Sequence, residues 1–349
     1  VEIAKYLKYG EDNVLAVRVD SRENLNIPPF GYAIDYMTFG GMYREVYVQV
    51  RNKTHLADVF IKPQIHPLQV TTEITVQNIS DGITLQQEIR KKGEGAYSPL
   101  GKKPVKQTNV QTVFPVQEIC LWEPENPHLY EIQTSLWKNG EMIDARVDIT
   151  GFREAGFRKD GFYLNGKKLR LRGLNRHQSY PYVGYAAPAS MQIFDADILK
   201  KELGVNAVRT SHYPQSQDFI RRCDEIGLLV FTEFPGWQHI GGEEWKRQAV
   251  QNLKEMIVQY RNHPSIILWG VRINESQDDD DGVAALSDTL HMFVQFFTPL
   301  LGKRCRCLIN NNDLWIKVGC LYDLYELTIL EVVRVDHISS LDSFKSILL

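Results

Sequence analysis

The sequence predicts a multidomain chain that is β first and α/β afterwards. Three observations predict it. Up to about residue 150 the apolar residues alternate with polar ones, as in half-buried strands. From about residue 151 short apolar runs alternate with amphipathic helical stretches, which demands a parallel sheet. The continuous apolar run from Ile266 to Val271 then leads within a few residues to the pair Asn274–Glu275. Such a run suits a strand buried on both faces, and a carboxylate just past it sits where α/β barrels do their chemistry.

Residues 1–63 read as β. Val14, Ala16, Val17 and Val19 form one expected strand, and Val46, Val48 and Val50 another. The loop between them is rich in Pro, Gly and aromatics (Ile27-Pro28-Pro29-Phe30-Gly31-Tyr32). Two strands cannot stand alone, so this part is expected to be the tail of a larger β-sandwich. Residues 64–150 read as a small immunoglobulin-like sandwich. Thr72–Gln77 alternates, and Asn139-Gly140 between Ile132–Trp137 and Met142–Val147 is a hairpin signal. The Lys- and Gly-rich segment 91–107 is expected to be an exposed loop.

Residues 151–281 carry four strand–helix units. Strands are expected at Leu169–Leu174, Val205–Arg209, Leu228–Phe231 and Ile266–Val271. Helices are expected from Ser190 to Leu203 with Phe194, Ile198, Leu199 and Leu203 on one side, from Asp218 to Ile226, and from Glu243 to Tyr260. Gly204, Gly227 and Pro264 supply the stops. The sheet is either half a barrel or a doubly wound sheet. A whole barrel takes about 250 residues, roughly 30 per unit, and the chain after Ser276 leaves room for about two more units. Residues 282–349 read as an atypical tail without clear βα punctuation. It follows four consecutive aspartates, 278–281, where a slipped reading frame would explain the change of character. One intact frame through the locus would rule that out.

Composition excludes some functions. Net charge is -3 with 24% charged residues, so neither nucleic acid nor an anionic membrane is an expected partner. No apolar stretch is long enough to span a bilayer, and no signal peptide is visible in a sequence that starts at Val1. Five cysteines without disulfide rhythm point to a reducing, cytoplasmic setting. Cys305-x-Cys307 lacks the second pair a zinc site needs.

The strand ends carry one polar set: Asn175-Arg176-His177, then Arg209-Thr210-Ser211-His212-Tyr213-Pro214, then Glu233-Phe234-Pro235-Gly236-Trp237, then Asn274-Glu275. Parallel strand ends face one side, so these groups converge on one cleft. Together with Leu171-Arg172-Gly173-Leu174 and Asp35–Val46, these motifs resemble glycoside hydrolase family two, the β-galactosidase and β-glucuronidase family, over residues 3–276. The resemblance implies a partial jelly-roll sandwich, an immunoglobulin-like sandwich and the first half of a TIM (β/α)8 barrel. It implies a retaining β-glycosidase acting on terminal β-D-galactosides, whose two carboxylates lie about 5–5.5 Å apart. Glu275 matches the acid/base, and Asn274 the contact to the sugar 2-hydroxyl. His177 and His212 match residues lining the sugar subsite, and Asp35 a carboxylate reaching in from the jelly-roll domain. The partner is a β-linked carbohydrate, and the intact relatives can be homo-oligomers.

Two departures stand out. Metal-dependent relatives carry Glu-x-His after the third strand for magnesium. Here the stretch is Trp237-Gln238-His239, and an indole offers no oxygen to a hard cation, so no metal is expected and His239 is structural or solvent-facing. The family's nucleophile is a Glu on the seventh strand. The later glutamates, Glu326 and Glu331, lack its context, so no nucleophile is assigned and an inactive fragment is expected. A β-glucuronidase-like enzyme and a non-catalytic carbohydrate-binding fragment are the alternatives.

Overall fold

The computed structural model describes residues 3–8, 10 and 12–271, and the backbone of two short paired strands, Cys307–Asn310 and Trp315–Val318. Asn274, Glu275, Glu326 and Glu331 lie outside the described residues.

The β half is a sandwich. One antiparallel sheet holds β1 (His55–Ile65), β2 (Leu68–Gln77) and β5 (Asn109–Pro115). The other holds β3 (Ile83–Lys91), β4 (Ser98–Pro104), β8 (Tyr130–Lys138) and β9 (Glu141–Thr150), in the order β4-β3-β8-β9. A minor pairing of β6 (Trp122–Glu123) with β7 (Asn126–Pro127) lies between β5 and β8. The inward residues of the two sheets meet: Val59, Ile61, Val70 and Ile74 against Leu85, Ile89, Ile132 and Leu136. Alternation therefore does what it predicts here. The Asn139-Gly140 hairpin forms as expected, with φ of 53° and 85°, the left-handed pair that a tight two-residue turn requires.

Three expectations fail. The strands at residues 14–19 and 46–50 are not formed, and Val14, Val46, Val48 and Val50 are exposed. An alternating stretch becomes a strand only against a neighbour, and no sheet among the described residues includes any residue before His55. No strand is formed among the described residues of 1–54. The expected loop 91–107 contains the strand β4. It is an edge strand, and its Pro99, Lys102, Lys103 and Pro104 are the residues that keep an exposed edge from pairing further, which made it look like a loop. The helix expected over Ser190–Leu203 is α1 (Ala189–Asp197) followed by a wider-wound stretch, Ile198–Glu202. Its buried face is only partly the expected one: Leu199 is buried with Ala196, but Phe194 and Leu203 are exposed and Gln192 is fully buried. The reason is polar, because Arg176 donates to Gln192 Oε1 at 2.8 Å.

The α/β half is a four-stranded parallel sheet, β13 (Gly173–Arg176), β14 (Ala207–Thr210), β15 (Leu229–Glu233) and β16 (Ile266–Gly270), in that spatial order. Helix α2 (Gln217–Ile226) connects β14 to β15, and α3 (Glu243–Tyr260) connects β15 to β16. The sequential strand order is that of a barrel segment, not of a doubly wound sheet, whose order reverses. Val208, Val230, Ile266, Phe219, Leu253 and Ile257 form the core between sheet and helices. Ser216 caps α2 by accepting from Asp218 N at 3.2 Å, and Gly227 ends it at φ 70°. A Cβ on Gly227 would lie 2.2 Å from Pro124 O, so glycine is required there on two counts.

A small antiparallel unit, β10 (Ala155–Arg158), β11 (Gly161–Leu164) and β12 (Lys167–Lys168), closes the N-terminal end of the parallel sheet. Phe162, Leu164 and Trp122 pack there against Ala207 and Leu229, the first residues of β14 and β15. Sandwich and sheet are joined by the loop after α3. Asn262 accepts from Ile61 N at 3.0 Å and donates to Val59 O at 3.0 Å, and Arg153 donates to Pro264 O at 2.7 Å. With the N-terminal end filled, the C-terminal end is the face left for a ligand.

Candidate active site

The C-terminal end of the sheet is a buried polar cluster. Arg209, near the end of β14, donates from Nε to Glu233 Oε1 at 2.5 Å, and Glu233 closes β15. The other carboxylate oxygen, Oε2, lies 3.0 Å from His212 Nδ1. Arg209, His212 and Glu233 are all buried. Burial pushes the Glu233 carboxyl up, but Arg209 and His212 outweigh it and hold the group below the usual carboxylate range. Glu233 is therefore an ion whose two oxygens are both engaged. It is neither a proton donor nor a carboxylate free to attack a sugar.

Arg176, the last residue of β13, organises the neighbouring loops. It donates to Asp195 at 2.8 Å, to Gln215 Oε1 at 2.5 Å and to Gln192, and its guanidinium stacks 4.0 Å from the Phe219 ring. This ties α1, the loop after β14 and α2 to one strand end. Gln215 in turn donates back to the Arg176 carbonyl. The buried fork of one arginine donates to acceptors on α1 and the loop after β14 and stacks on α2, so the strand ends are tied together.

The expected sugar-site histidines do come together. The rings of His177 and His212 lie 5.5 Å apart, centroid to centroid. His177 is exposed at the mouth, while His212 is buried beneath it. Tyr213 OH lies 3.4 Å from His177 Nδ1 and receives a hydrogen bond from Gln178 N at 3.2 Å.

The N-terminal segment lies across this face as a strap. Tyr36 packs against four site rings: His177 at 5.5 Å, His212 at 5.9 Å, Tyr213 at 5.5 Å and Trp237 at 5.4 Å. Burial, with the nearby Tyr213, pushes its phenol well above the ordinary value, so it stays protonated. Trp237 donates from Nε1 to Ala33 O at 2.9 Å, Tyr185 donates to Met37 O at 2.5 Å, and Arg44 donates to Tyr185 O at 2.6 Å and to Gln178 Oε1 at 2.9 Å. Asp35 sits on the same strap beside Tyr36, with an exposed side chain.

The magnesium position does not fit the ion. Trp237 fills it with an indole whose only polar atom is already donating to the strap, and its ring lies 5.4 Å from that of His212. His239 is held against the strap too, near Leu25 O at 3.2 Å and the Tyr32 ring at 5.7 Å. Among the described residues no cluster of three His, Cys, Asp or Glu is placed to bind a metal. No helix among them is long and apolar enough to cross a membrane.

Sequence reasoning named Arg209 and Glu233 as strand-end residues but gave them no role, and passed over Tyr36. The available signal was a charge at the end of each of two apolar strands. A buried carboxylate opposite a buried arginine is the cheapest way to place either.

A β-sandwich feeding a parallel barrel segment, with a histidine pair and a buried arginine–carboxylate pair at its strand ends, defines a class of multidomain protein. Comparison with known proteins names the family. Residues 54–153 match the model for "Glycosyl hydrolases family 2", and residues 156–293 the model for "Glycosyl hydrolases family 2, TIM barrel domain". The chain belongs to glycosyl hydrolase family 2. It is 48% identical over 297 residues to a beta-galactosidase of Thermoanaerobacter pseudethanolicus, covering 83% of this chain and 40% of that protein. It is 32% identical to a putative beta-glucuronidase of Formosa agariphila, covering 78% of this chain and 33% of the relative. Bacteroides uniformis beta-glucuronidase 2, solved covalently bound to cyclophellitol-6-carboxylate aziridine, superposes with a TM-score of 0.74 at 30% identity, over 84% of this chain and 39% of that one. The chain thus spans between a third and two fifths of the length of these relatives.

Proposed function

We propose that this chain carries the sugar-binding half of a retaining β-glycosidase for terminal β-D-galactosides. The observation that carries the reading is the meeting of His177 and His212 at the strand ends, beneath Tyr36 and beside Trp237. Flat rings and imidazole nitrogens in one cleft suit a pyranose, whose faces are apolar and whose rim is hydroxylated. Two relatives named beta-galactosidase, at 48% and 49% identity, favour galactose over glucuronic acid.

In this reading Glu275 is the general acid/base, Asn274 holds the 2-hydroxyl, and Asp35 reaches the sugar from the strap. Glu275 would protonate the leaving-group oxygen as the glycosidic bond breaks. The double displacement then needs a second carboxylate at the anomeric carbon. Glu233 cannot supply it, because both its oxygens are committed to Arg209 and His212. The expected outcome is galactose binding without turnover. The purified chain should release no nitrophenol from an aryl β-D-galactoside, while calorimetry should record heat on galactose addition. Hydrolysis overturns the inactive-fragment reading, and absence of binding overturns the sugar site.

A β-glucuronidase-like site is the second reading, favoured by the superposition on the Bacteroides uniformis enzyme. Stronger binding of glucuronate than of galactose would select it.

A further inference from the structure

We infer that Glu233 is a positioning residue for His212: it holds the imidazole with its proton on Nδ1, so that Nε2 presents a lone pair to a sugar hydroxyl. The inference rests on the sugar-binding reading of His212 and goes beyond it by assigning the direction of the hydrogen bond. Two groups compete for His212 Nδ1. Glu233 Oε2 lies at 3.0 Å and Arg209 Nη2 at 3.2 Å. A ring nitrogen donates to the first or accepts from the second, never both. Glu233 is ionised and can only accept. A bare Nδ1 would set a lone pair against a carboxylate oxygen in a buried site. A proton there makes a charge-assisted bond instead. Arg209 keeps its Nε bond to Glu233 Oε1 at 2.5 Å and gives up only the longer Nη2 contact. The network therefore assigns the proton to Nδ1.

The consequence falls on the other nitrogen. In neutral imidazole Nε2 is then an acceptor. It makes no hydrogen bond among the described residues, whereas Nδ1 makes both contacts. A ligand hydroxyl that donates its proton fits this nitrogen, and a ligand ether or carbonyl oxygen does not. Glu233 touches no substrate itself and acts only through the orientation and tautomer of the ring.

Substitution with glutamine separates the roles at constant size. The Arg209 guanidinium can only donate, so it claims the amide oxygen, and the amide NH2 turns to His212. Nδ1 must then accept, and the proton moves to Nε2. The test is a two-bond proton–nitrogen correlation spectrum of 15N-histidine-labelled full chain at about pH 8, above the ordinary imidazole pKa. His212 is identified by its loss in His212→Gln. The expected result is the Nδ1–H form in the unaltered chain, the Nε2–H form in Glu233→Gln, and galactose binding weakened about tenfold by calorimetry, the size of one lost hydrogen bond.

An Nε2–H signal in the unaltered chain overturns the inference whether or not any variant folds. So does a Glu233→Gln chain that keeps both the Nδ1–H form and full affinity. An Nδ1–H signal in a chain that binds no galactose overturns the sugar site instead, and upholds the tautomer assignment.

Discussion

The two ends of the parallel sheet are built from opposite kinds of side chain. At the N-terminal end Phe162, Leu164 and Trp122 press on Ala207 and Leu229, and the polar contacts are fewer, chiefly those of Asp224 with Ser265 N and of Arg153 with Pro264 O. At the C-terminal end, a few residues along the same strands, Arg176, Arg209, His212 and Glu233 are equally buried but joined by hydrogen bonds. The first arrangement stabilises through area removed from water, and many apolar residues would serve. The second has no such tolerance, because each buried charge depends on its particular partner. One end is built for stability and the other for a precise arrangement of polar groups.

Substitutions at the two ends should break this comparison in different ways, and the largest effects come from removing one member of each. Arg209→Met leaves the Glu233 carboxylate buried without its guanidinium, and should lower unfolding stability by about 3–5 kcal/mol in urea titrations. Adding Glu233→Met should recover most of that loss. A double variant as unstable as the single one would mean that the pair is not the source. Phe162→Ala should also cost about 3–5 kcal/mol, through a cavity, yet leave galactose affinity unchanged under folding conditions.

An intermediate effect comes from pH. Glu233 titrates below the ordinary carboxylate value of 4.5 in the folded chain. Its contribution is present in full above that value and is lost as pH falls through the lower, folded one. The stability gap between the unaltered chain and Glu233→Gln should therefore narrow under acid. A gap unchanged across the acid range would contradict an ionised Glu233. The smallest effect belongs to a local bond. Ser216→Ala loses the cap of α2. It should cost about 1 kcal/mol by thermal melting.

How much of this was legible in the sequence depends on whether the deciding interaction is local. Helix α3 was read to the residue, since its apolar period, its first-turn Glu243 and Glu244 and the following Pro264 all lie within it or just past it. Strands β14, β15 and β16 were found within two residues at either end, because buried strands announce themselves as apolar runs. Val46, Val48 and Val50 carry the same alternation as Val70, Thr72 and Ile74, yet only the second set is in a sheet. Alternation describes a segment, and pairing belongs to its neighbour. The face of α1 was only partly legible for a related reason: Leu199 is buried as its period implies, but Gln192 is held inside by an arginine sixteen positions earlier, which no period within the helix encodes. At the site, His177 and His212 could be paired because strand ends share a side. The role of Glu233 depended on distances that only the fold supplies.

The proposed site holds a sugar but has no carboxylate free to attack it among the described residues, where Glu233 is committed to Arg209 and His212. The most direct measurement is the intact mass of the chain after incubation with 2-deoxy-2-fluoro-β-D-galactosyl fluoride, which traps a retaining nucleophile as a stable ester. An unchanged mass is expected. A gain of one fluorogalactosyl unit, mapped by peptide sequencing to any Asp or Glu, would contradict it.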